Sequence, residues 1–185
     1  MALVFPHLLG VGYEAIDLAL MRELSWWLMF LLVLCKILAT SVTIGSGGSG
    51  GIFAPSLFMG AMAGGFFGTG VHAIFPGMTA SPGAYSIVGM GAVVGATTHG
   101  PLSAILILFE LTGDYRIILP LMLTVVISSL IAQWLLKGES IYTLKLTRRG
   151  VRLLKGRDID IMEGIKVEEA MSHEVDTITK DMNLK

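Results

Sequence analysis

The most distinctive segment of the sequence is a run of glycine and serine, Gly45 to Gly51, that leads into Ile52-Phe53-Ala54-Pro55. A run so rich in glycine cannot continue a regular helix, whereas Pro55 suits the first turn of a new one because proline has no N–H to leave unpaired. The first amides of a helix lack partners within the helix and lie at the positive end of its dipole. They can bind an anion without any basic side chain, and glycine lets that anion approach the backbone. Gly50 to Pro55 is therefore a candidate anion site.

Three side chains outside this segment could also act on an ion. Tyr142 carries a phenol that can donate to an anion, although a tyrosine near a membrane boundary is more often an interfacial anchor. Glu110 is ionisable and lies in an apolar helix, but its neighbours Asp114 and Arg116 favour a place at the membrane edge. Lys36 could line a pathway, but snorkelling or a buried ion pair is the commoner fate of such a lysine. Residue type alone favours a structural role for each.

The glycine run also contains a candidate nucleophile. Residues 47–50 match the G-x-S-G pattern of rhomboid-type intramembrane serine proteases, and Ser49 would then need a histidine base such as His72 or His99. The match is weak, because glycine and serine dominate the segment. The single cysteine, Cys35, has no second cysteine to pair with, and the sequence has no H-E-x-x-H pattern. We expect no metal site and no enzyme, and keep an intramembrane hydrolase that uses Ser49 as the alternative function.

The elements that must hold these residues are apolar enough to lie in a membrane. Of the 185 residues, 54% are hydrophobic and 15% charged, and the mean hydropathy is +0.75. From Ile37 through Phe109 there is no Asp, Glu, Lys or Arg. No soluble domain of this size could cover such a stretch with solvated surface. The chain is therefore predicted to be an all-α polytopic membrane protein.

Several short helices are predicted in place of a few clean spans. Their expected ranges are Leu18 to Leu24, Trp26 to Ile44 with Ser25 as its cap, Phe53 to Val71, Ala84 to Thr98, Leu102 to Thr112, Ile117 to Leu136, and one from Ser140 onward. Broken backbone at membrane depth is tolerated only where it is buried in protein or lines a polar cavity. Interrupted helices of this kind favour a transporter or channel over a simple anchor.

The two ends of the chain differ in charge. A basic cluster follows the last apolar segment, and the positive-inside rule places it in the cytoplasm: Lys145, Arg148, Arg149, Arg152, Lys155 and Arg157. Met1 to Gly10 has no Lys or Arg before its apolar residues and no small-residue cleavage site, so we expect no secretory signal there. This start is typical of the interior of a longer protein.

Five segments, in their order and spacing, resemble the CLC family of chloride channels and chloride/proton antiporters. They are Gly45 to Pro55, Ser56 to Gly65, Gly89-Met90-Gly91-Ala92, Phe109-Glu110-Leu111-Thr112 and Ile141-Tyr142. Gly51 to Pro55 is similar to the family's G-x-F-x-P anion-binding motif, and the agreement runs from about Val11 to Arg157. Val167 to Met171 and Val175 to Thr179 are similar to the opening of a CBS domain, a cytoplasmic regulatory module. The resemblance implies a membrane domain at 1–157, a linker at 158–164 and a truncated α/β CBS segment at 165–185.

For the site, the resemblance implies chloride transport, as a channel or a chloride/proton antiporter. The amides of Ile52 and Phe53 and the hydroxyl of Tyr142 would coordinate the central chloride. The loop and the helix start around it would be Gly50, Gly51, Ala54 and Pro55. Glu110 would then be structural, and no cofactor is expected beyond chloride as the bound ion, although a complete CBS domain could bind an adenine nucleotide.

For the assembly, the resemblance implies the second of two inverted repeats, with broken and short tilted helices. A homodimer would form through Leu102 to Thr112 and Ile117 to Leu136, surrounded by lipid, in the cell membrane of a prokaryote. No nucleic-acid partner is expected. The family's G-S-G-I-P-like and G-x-E-G-P-like segments are not in this sequence. Transport would therefore need an N-terminal half, channel and antiporter both stay open, and a third hypothesis is an inactive or regulatory half-transporter.

Overall fold

A computed structural model describes residues 10–144 of the protein. This part contains six α-helices and no strand; the helices are α1 Tyr13–Leu20, α2 Trp26–Gly45, α3 Phe53–Ile74, α4 Pro82–Thr98, α5 Pro101–Thr112 and α6 Ile118–Leu135. A 3₁₀ turn, Tyr115–Ile117, leads into α6. Three segments are long and apolar enough to cross a membrane, namely α2, α3 and Tyr115–Leu135. The predicted helical membrane architecture is confirmed.

By its contacts the chain divides into two units, Met1–Lys145 and Leu146–Lys185. The described helices all belong to the first unit. The predicted linker at 158–164 and the predicted CBS segment at 165–185 lie outside the described residues, as does most of the helix predicted from Ser140.

Helices α2 to α6 begin and end within three residues of their predicted bounds. The prediction for α1 was wrong, because a helix expected at Leu18 to Leu24 spans Tyr13–Leu20. Arg22 takes a left-handed φ of 66°, and the Glu23 amide bonds to the Leu18 carbonyl at 2.9 Å. This is the Schellman arrangement, which glycine usually closes. A non-glycine residue at the left-handed position gave no sequence signal for the helix end.

Helices α2 and α3 form an antiparallel hairpin joined by the glycine run. Trp26 near the start of α2 stacks on Phe66 of α3, with 4.9 Å between ring centroids. Lys36, further along α2, lies against Phe58, nearer the start of α3. Residues later in α2 therefore contact residues earlier in α3, as expected of two antiparallel helices. Ser25 stands at the start of α2 with extended backbone but makes no side-chain capping bond.

Helices α3 and α4 cross with their backbones in contact. A Cβ built on Gly60 would lie 2.5 Å from the Gly89 carbonyl oxygen, and a Cβ on Gly89 would overlap the Gly60 carbonyl oxygen. Small residues allow this approach, and close packing drives helix association where lipid is as apolar as the side chains. The crossing holds α3 against α4 by direct backbone contact.

Helix α4 also packs closely on α6. A Cβ on Gly95 would lie 2.8 Å from a Val125 methyl and 3.0 Å from the Ser129 hydroxyl. Ser128 donates across this interface to the Ala92 carbonyl at 2.9 Å. Large apolar side chains on the far sides of α5 and α6 are exposed, among them Leu102, Leu106, Leu119, Leu123, Leu130 and Trp134. Small residues inside and large apolar residues outside are the arrangement expected of helices surrounded by lipid.

The α3 and α4 crossing predicts a large effect of a single methyl group. Gly89→Ala should lower the free energy of unfolding by roughly 1–3 kcal/mol, because the obstacle is backbone and cannot rotate away. Gly70→Ala is the matched control on α3, since its Cβ would meet nothing within 4 Å. Thermal unfolding of the purified protein in detergent measures both. Equal losses would contradict the close crossing.

Replacing each of two adjacent serines on α6 by alanine should affect stability differently. Ser128→Ala removes an interhelical hydrogen bond and should cost about 0.5–1.5 kcal/mol. Ser129 is 2% exposed, and its hydroxyl has no hydrogen-bond partner within residues 10–144. Ser129→Ala should therefore leave stability unchanged within about 0.5 kcal/mol, or raise it. Thermal unfolding in detergent measures both variants. A larger loss of stability in Ser129→Ala than in Ser128→Ala would contradict the described packing of α4 on α6.

Candidate anion site

The loop between α2 and α3 begins with a left-handed glycine. Gly47 has a φ of 82°, and its amide donates to the Ile44 carbonyl at 3.2 Å. The Gly48 amide donates to the Thr43 carbonyl at 3.0 Å. The pair forms a Schellman motif that closes α2. Glycine is favoured at position 47, because this backbone conformation costs other residues about 1–2 kcal/mol.

Three carbonyls near the end of α2 accept hydrogen bonds from the residues that follow them. Thr43 carbonyl oxygen accepts a second bond from the Ser46 hydroxyl at 3.0 Å. The Val42 carbonyl accepts from the Ser46 amide at 2.9 Å. The last turn of a helix carries partial negative charge, which would repel an anion. Because three of these carbonyls already accept bonds, the end of α2 is a weaker obstacle to a negative ion.

The start of α3 presents donors. Its first backbone bond runs from the Ser56 amide to the Ile52 carbonyl at 3.1 Å, and the Ser56 hydroxyl donates to the same carbonyl at 2.8 Å. Ser56 is buried, so this second bond is held in the protein interior. The amides of Ile52, Phe53 and Ala54 precede the first helical bond and donate to no group among residues 10–144. Pro55 adds no fourth amide, because proline has no N–H.

The site is open on its loop side. Gly50 and Gly51 are exposed, and a Cβ on Gly51 would meet no atom within 4 Å. Ile52 through Pro55 are partly buried, and Phe53 packs against the hydrophobic core. The amides thus stand at the N-terminus of a 22-residue helix, accessible from one side and supported from the other. Such an arrangement can bind a small anion through hydrogen bonds and the helix dipole.

Tyr142 lies elsewhere in the described part. It is 53% exposed and sits in a turn after α6, where the Ile141 amide bonds to the Thr97 carbonyl at the end of α4 at 3.0 Å. Within residues 10–144, no hydrogen bond or ring contact joins Tyr142 to Ile52 or Phe53. The described contacts do not bring the tyrosine and the amides together, so its role at the anion stays a prediction.

The candidate catalytic residues are not assembled by any described contact. Ser49 is exposed in the glycine loop. His72 lies in the last turn of α3, where its Nδ1 is 3.0 Å from the Thr79 hydroxyl. It is 19 residues beyond Phe53 along α3, which is about 28 Å at 1.5 Å per residue, and so cannot serve Ser49 as a base. His99 ends α4 with a left-handed φ of 55°. Residues 10–144 hold no group of three metal-ligating side chains.

The two ionisable candidates behave differently. Glu110 is exposed near the end of α5, as are Asp114 and Arg116, and its place at the membrane edge stays a prediction. Lys36 does not snorkel, since it is only 3% exposed. Its Nζ donates to the Gly10 carbonyl at 3.0 Å and lies 4.7 Å from the centroid of the Phe58 ring. Sequence reasoning missed this contact, because nothing local to Lys36 indicates which ring it meets.

Comparison with known proteins identifies the class. A family model described as voltage gated chloride channel matches residues 1–133. The chain belongs to this family, the CLC family of integral membrane proteins, and the predicted CLC-type membrane fold is confirmed.

Individual relatives are similar at moderate identity. A putative chloride channel protein ClcB-like of Ralstonia nicotianae is 41% identical over 143 residues, which cover 77% of this chain and 33% of the relative. The H(+)/Cl(-) exchange transporter ClcA of Vibrio campbellii is 36% identical over 161 residues, covering 87% of this chain and 34% of the relative. The crystal structure of a slow cyanobacterial Cl-/H+ antiporter matches with a TM-score of 0.66 and 36% identity, over 73% of this chain and 32% of that one. The chain therefore spans about a third of the length of these relatives.

The loop geometry predicts a backbone requirement at one glycine. Gly47→Ala should lower the free energy of unfolding by about 1 kcal/mol, because alanine is strained at a φ of 82°. Gly47→Asn should lower the free energy of unfolding by less than Gly47→Ala does, since asparagine tolerates the left-handed region better than alanine. Gly51→Ala is the control, as it meets open space and has no left-handed φ. Chemical unfolding in detergent compares the three, and a loss at Gly51 as large as that at Gly47 would contradict the motif.

Proposed function

We propose that this chain forms one wall of a chloride pathway across a membrane. The observation that carries the proposal is the start of α3, where the amides of Ile52, Phe53 and Ala54 precede the first helical bond. Three carbonyls at the end of α2, those of Val42, Thr43 and Ile44, already accept local bonds. Donors without competing acceptors stabilise an anion that has lost water. The names of the relatives, a chloride channel protein and H(+)/Cl(-) exchange transporters, support chloride as that anion.

In the proposed site, chloride exchanges hydration for hydrogen bonds. Ile52 and Phe53 donate their backbone amides, and Tyr142 donates its hydroxyl. Gly50 and Gly51 leave room for the ion, while Ala54 and Pro55 continue the helix whose dipole faces it. The proposed ligands include no lysine, so binding is moderate and release is possible, as conduction requires. The proposal includes both channel and proton-coupled exchange, since the relatives carry both descriptions.

The alternative hydrolase has less support. The family and its relatives are described as chloride channels and exchangers, and His72 lies at the far end of α3 from Ser49. The hypothesis of an inactive or regulatory half-transporter is separate, because the chain covers only about a third of each relative. We propose that transport requires a complementary N-terminal half of the membrane domain.

The proposed assembly is a homodimer in the cell membrane of a prokaryote, with the C-terminus in the cytoplasm. The exposed apolar faces of α5 and α6 support a contact between copies or with lipid. The basic residues from Lys145 to Arg157 support the orientation. Residues 165–185 are proposed as the start of a CBS domain on sequence pattern alone, and a complete domain of this kind would be the candidate adenine-nucleotide site.

Chloride efflux from liposomes tests the pathway. We expect flux when the chain is reconstituted with a matching N-terminal half, and none with either alone. Tyr142→Phe keeps the ring but removes the hydroxyl, and should weaken chloride binding roughly tenfold or more, the loss of one hydrogen bond to a charged group. Tyr142 is half exposed, so this change should not disturb the core.

Ser49→Ala is the control for the alternative function and should leave efflux unchanged. Loss of efflux on Ser49→Ala, together with covalent labelling of Ser49 by a serine-directed inhibitor, would favour the hydrolase. Absence of efflux from correctly assembled halves would refute transport and favour the regulatory half.

A further inference from the structure

A buried lysine contacts the helix that begins at the proposed site. Lys36 is 3% exposed in the middle of α2, and Phe58, whose ring it faces, is fully buried in α3. The Nζ lies 4.7 Å from the ring centroid, within the range of a cation–π contact, and donates to the Gly10 carbonyl at 3.0 Å. The contact therefore joins the two helices on either side of the glycine loop.

The glycine loop cannot hold those helices in place by itself. Cβ atoms built on Gly45, Gly47 and Gly51 would each meet nothing within 4 Å, so this part of the chain has few packing contacts. Glycine also has the greatest backbone freedom of any residue. The distance between the end of α2 and the amides of α3 must therefore be set by contacts between the helices.

Lys36 and Phe58 form such a contact near the loop. Phe58 is five residues after Phe53, about 7.5 Å along the helix axis, and helical side chains lean toward the N-terminus. Lys36 is nine residues before Gly45, which is about 13.5 Å. Phe66 of α3, which packs on both Trp26 and Phe30 of α2, lies about 20 Å along α3 from Phe53.

Resting on the proposed chloride function, we infer that Lys36 is a positioning residue for the anion site. Its ammonium holds the Phe58 ring and so fixes the amides at the start of α3 relative to the end of α2. Hydrogen-bond donors stabilise an anion fully only when held within about 0.5 Å of their productive positions. A cation is needed for this contact, because the negative face of the ring attracts positive charge and an uncharged side chain supplies packing alone.

Chloride affinity measured by isothermal titration calorimetry tests the inference, using this chain assembled with its N-terminal half. Lys36→Met and Phe58→Leu should each weaken chloride binding about five- to tenfold, the equivalent of one cation–π contact. The double variant should lose little more than either single one, because both remove the same contact. Lys36→Arg should retain most of the affinity.

Phe66→Leu is the matched control, since it removes the aromatic contacts of Phe66 with Trp26 and Phe30, which join the same helices far from the loop. It should lower the melting temperature and leave chloride affinity unchanged. Phe58→Leu and Phe66→Leu both shorten an aromatic side chain, so their comparison stands even if Lys36→Met does not fold. Unchanged affinity in Phe58→Leu and Lys36→Met, or equal loss in Phe66→Leu, would overturn the inference. Failure of the proposed function would instead appear as absence of chloride binding in the unmodified protein.

Discussion

The described structure depends on one constraint, which is that backbone polar groups inside a bilayer must find partners in the protein or in what it binds. At the break between α2 and α3, the polar groups on one side have partners within the described part of the protein and those on the other side do not. On the α2 side, Val42, Thr43 and Ile44 direct their carbonyls to local donors. On the α3 side, the amides of Ile52 and Phe53 have no protein acceptor among residues 10–144. This inequality is the feature on which the proposed anion site depends, because amides without acceptors attract negative charge.

The rest of the bundle keeps that site in place through backbone contact. Gly60 and Gly89 let α3 and α4 touch, and Gly95 lets α4 approach Val125 of α6. Helices in lipid gain little from hydrophobic burial against one another, so close packing and interhelical hydrogen bonds must hold them. Ser128 supplies one such bond to Ala92. A rigid α3 matters because the glycine loop before it has little rigidity of its own.

Much of this could be predicted from the sequence because the signals are local. A charge-free stretch from Ile37 to Phe109 predicts membrane helices, and glycine and proline indicate where those helices stop and start. The helix termini at the proposed site follow from bonds spanning four or five residues, such as Ser56 to Ile52. The family motif covers the same local segment. The end of α1 was missed because Arg22, not a glycine, takes the left-handed position.

The sequence by itself thus determined the helical membrane class, the CLC family and the place where an amide terminus faces a loop. Only the tertiary structure decided that Lys36 is buried against Phe58, and that Gly60 meets Gly89. It also decided that the turn carrying Tyr142 is tied to the end of α4. The physical reason is the sequence separation of the interacting residues. Capping and turn conformation are set by neighbours along the chain. These contacts join distant residues, whose partners depend on how whole helices pack.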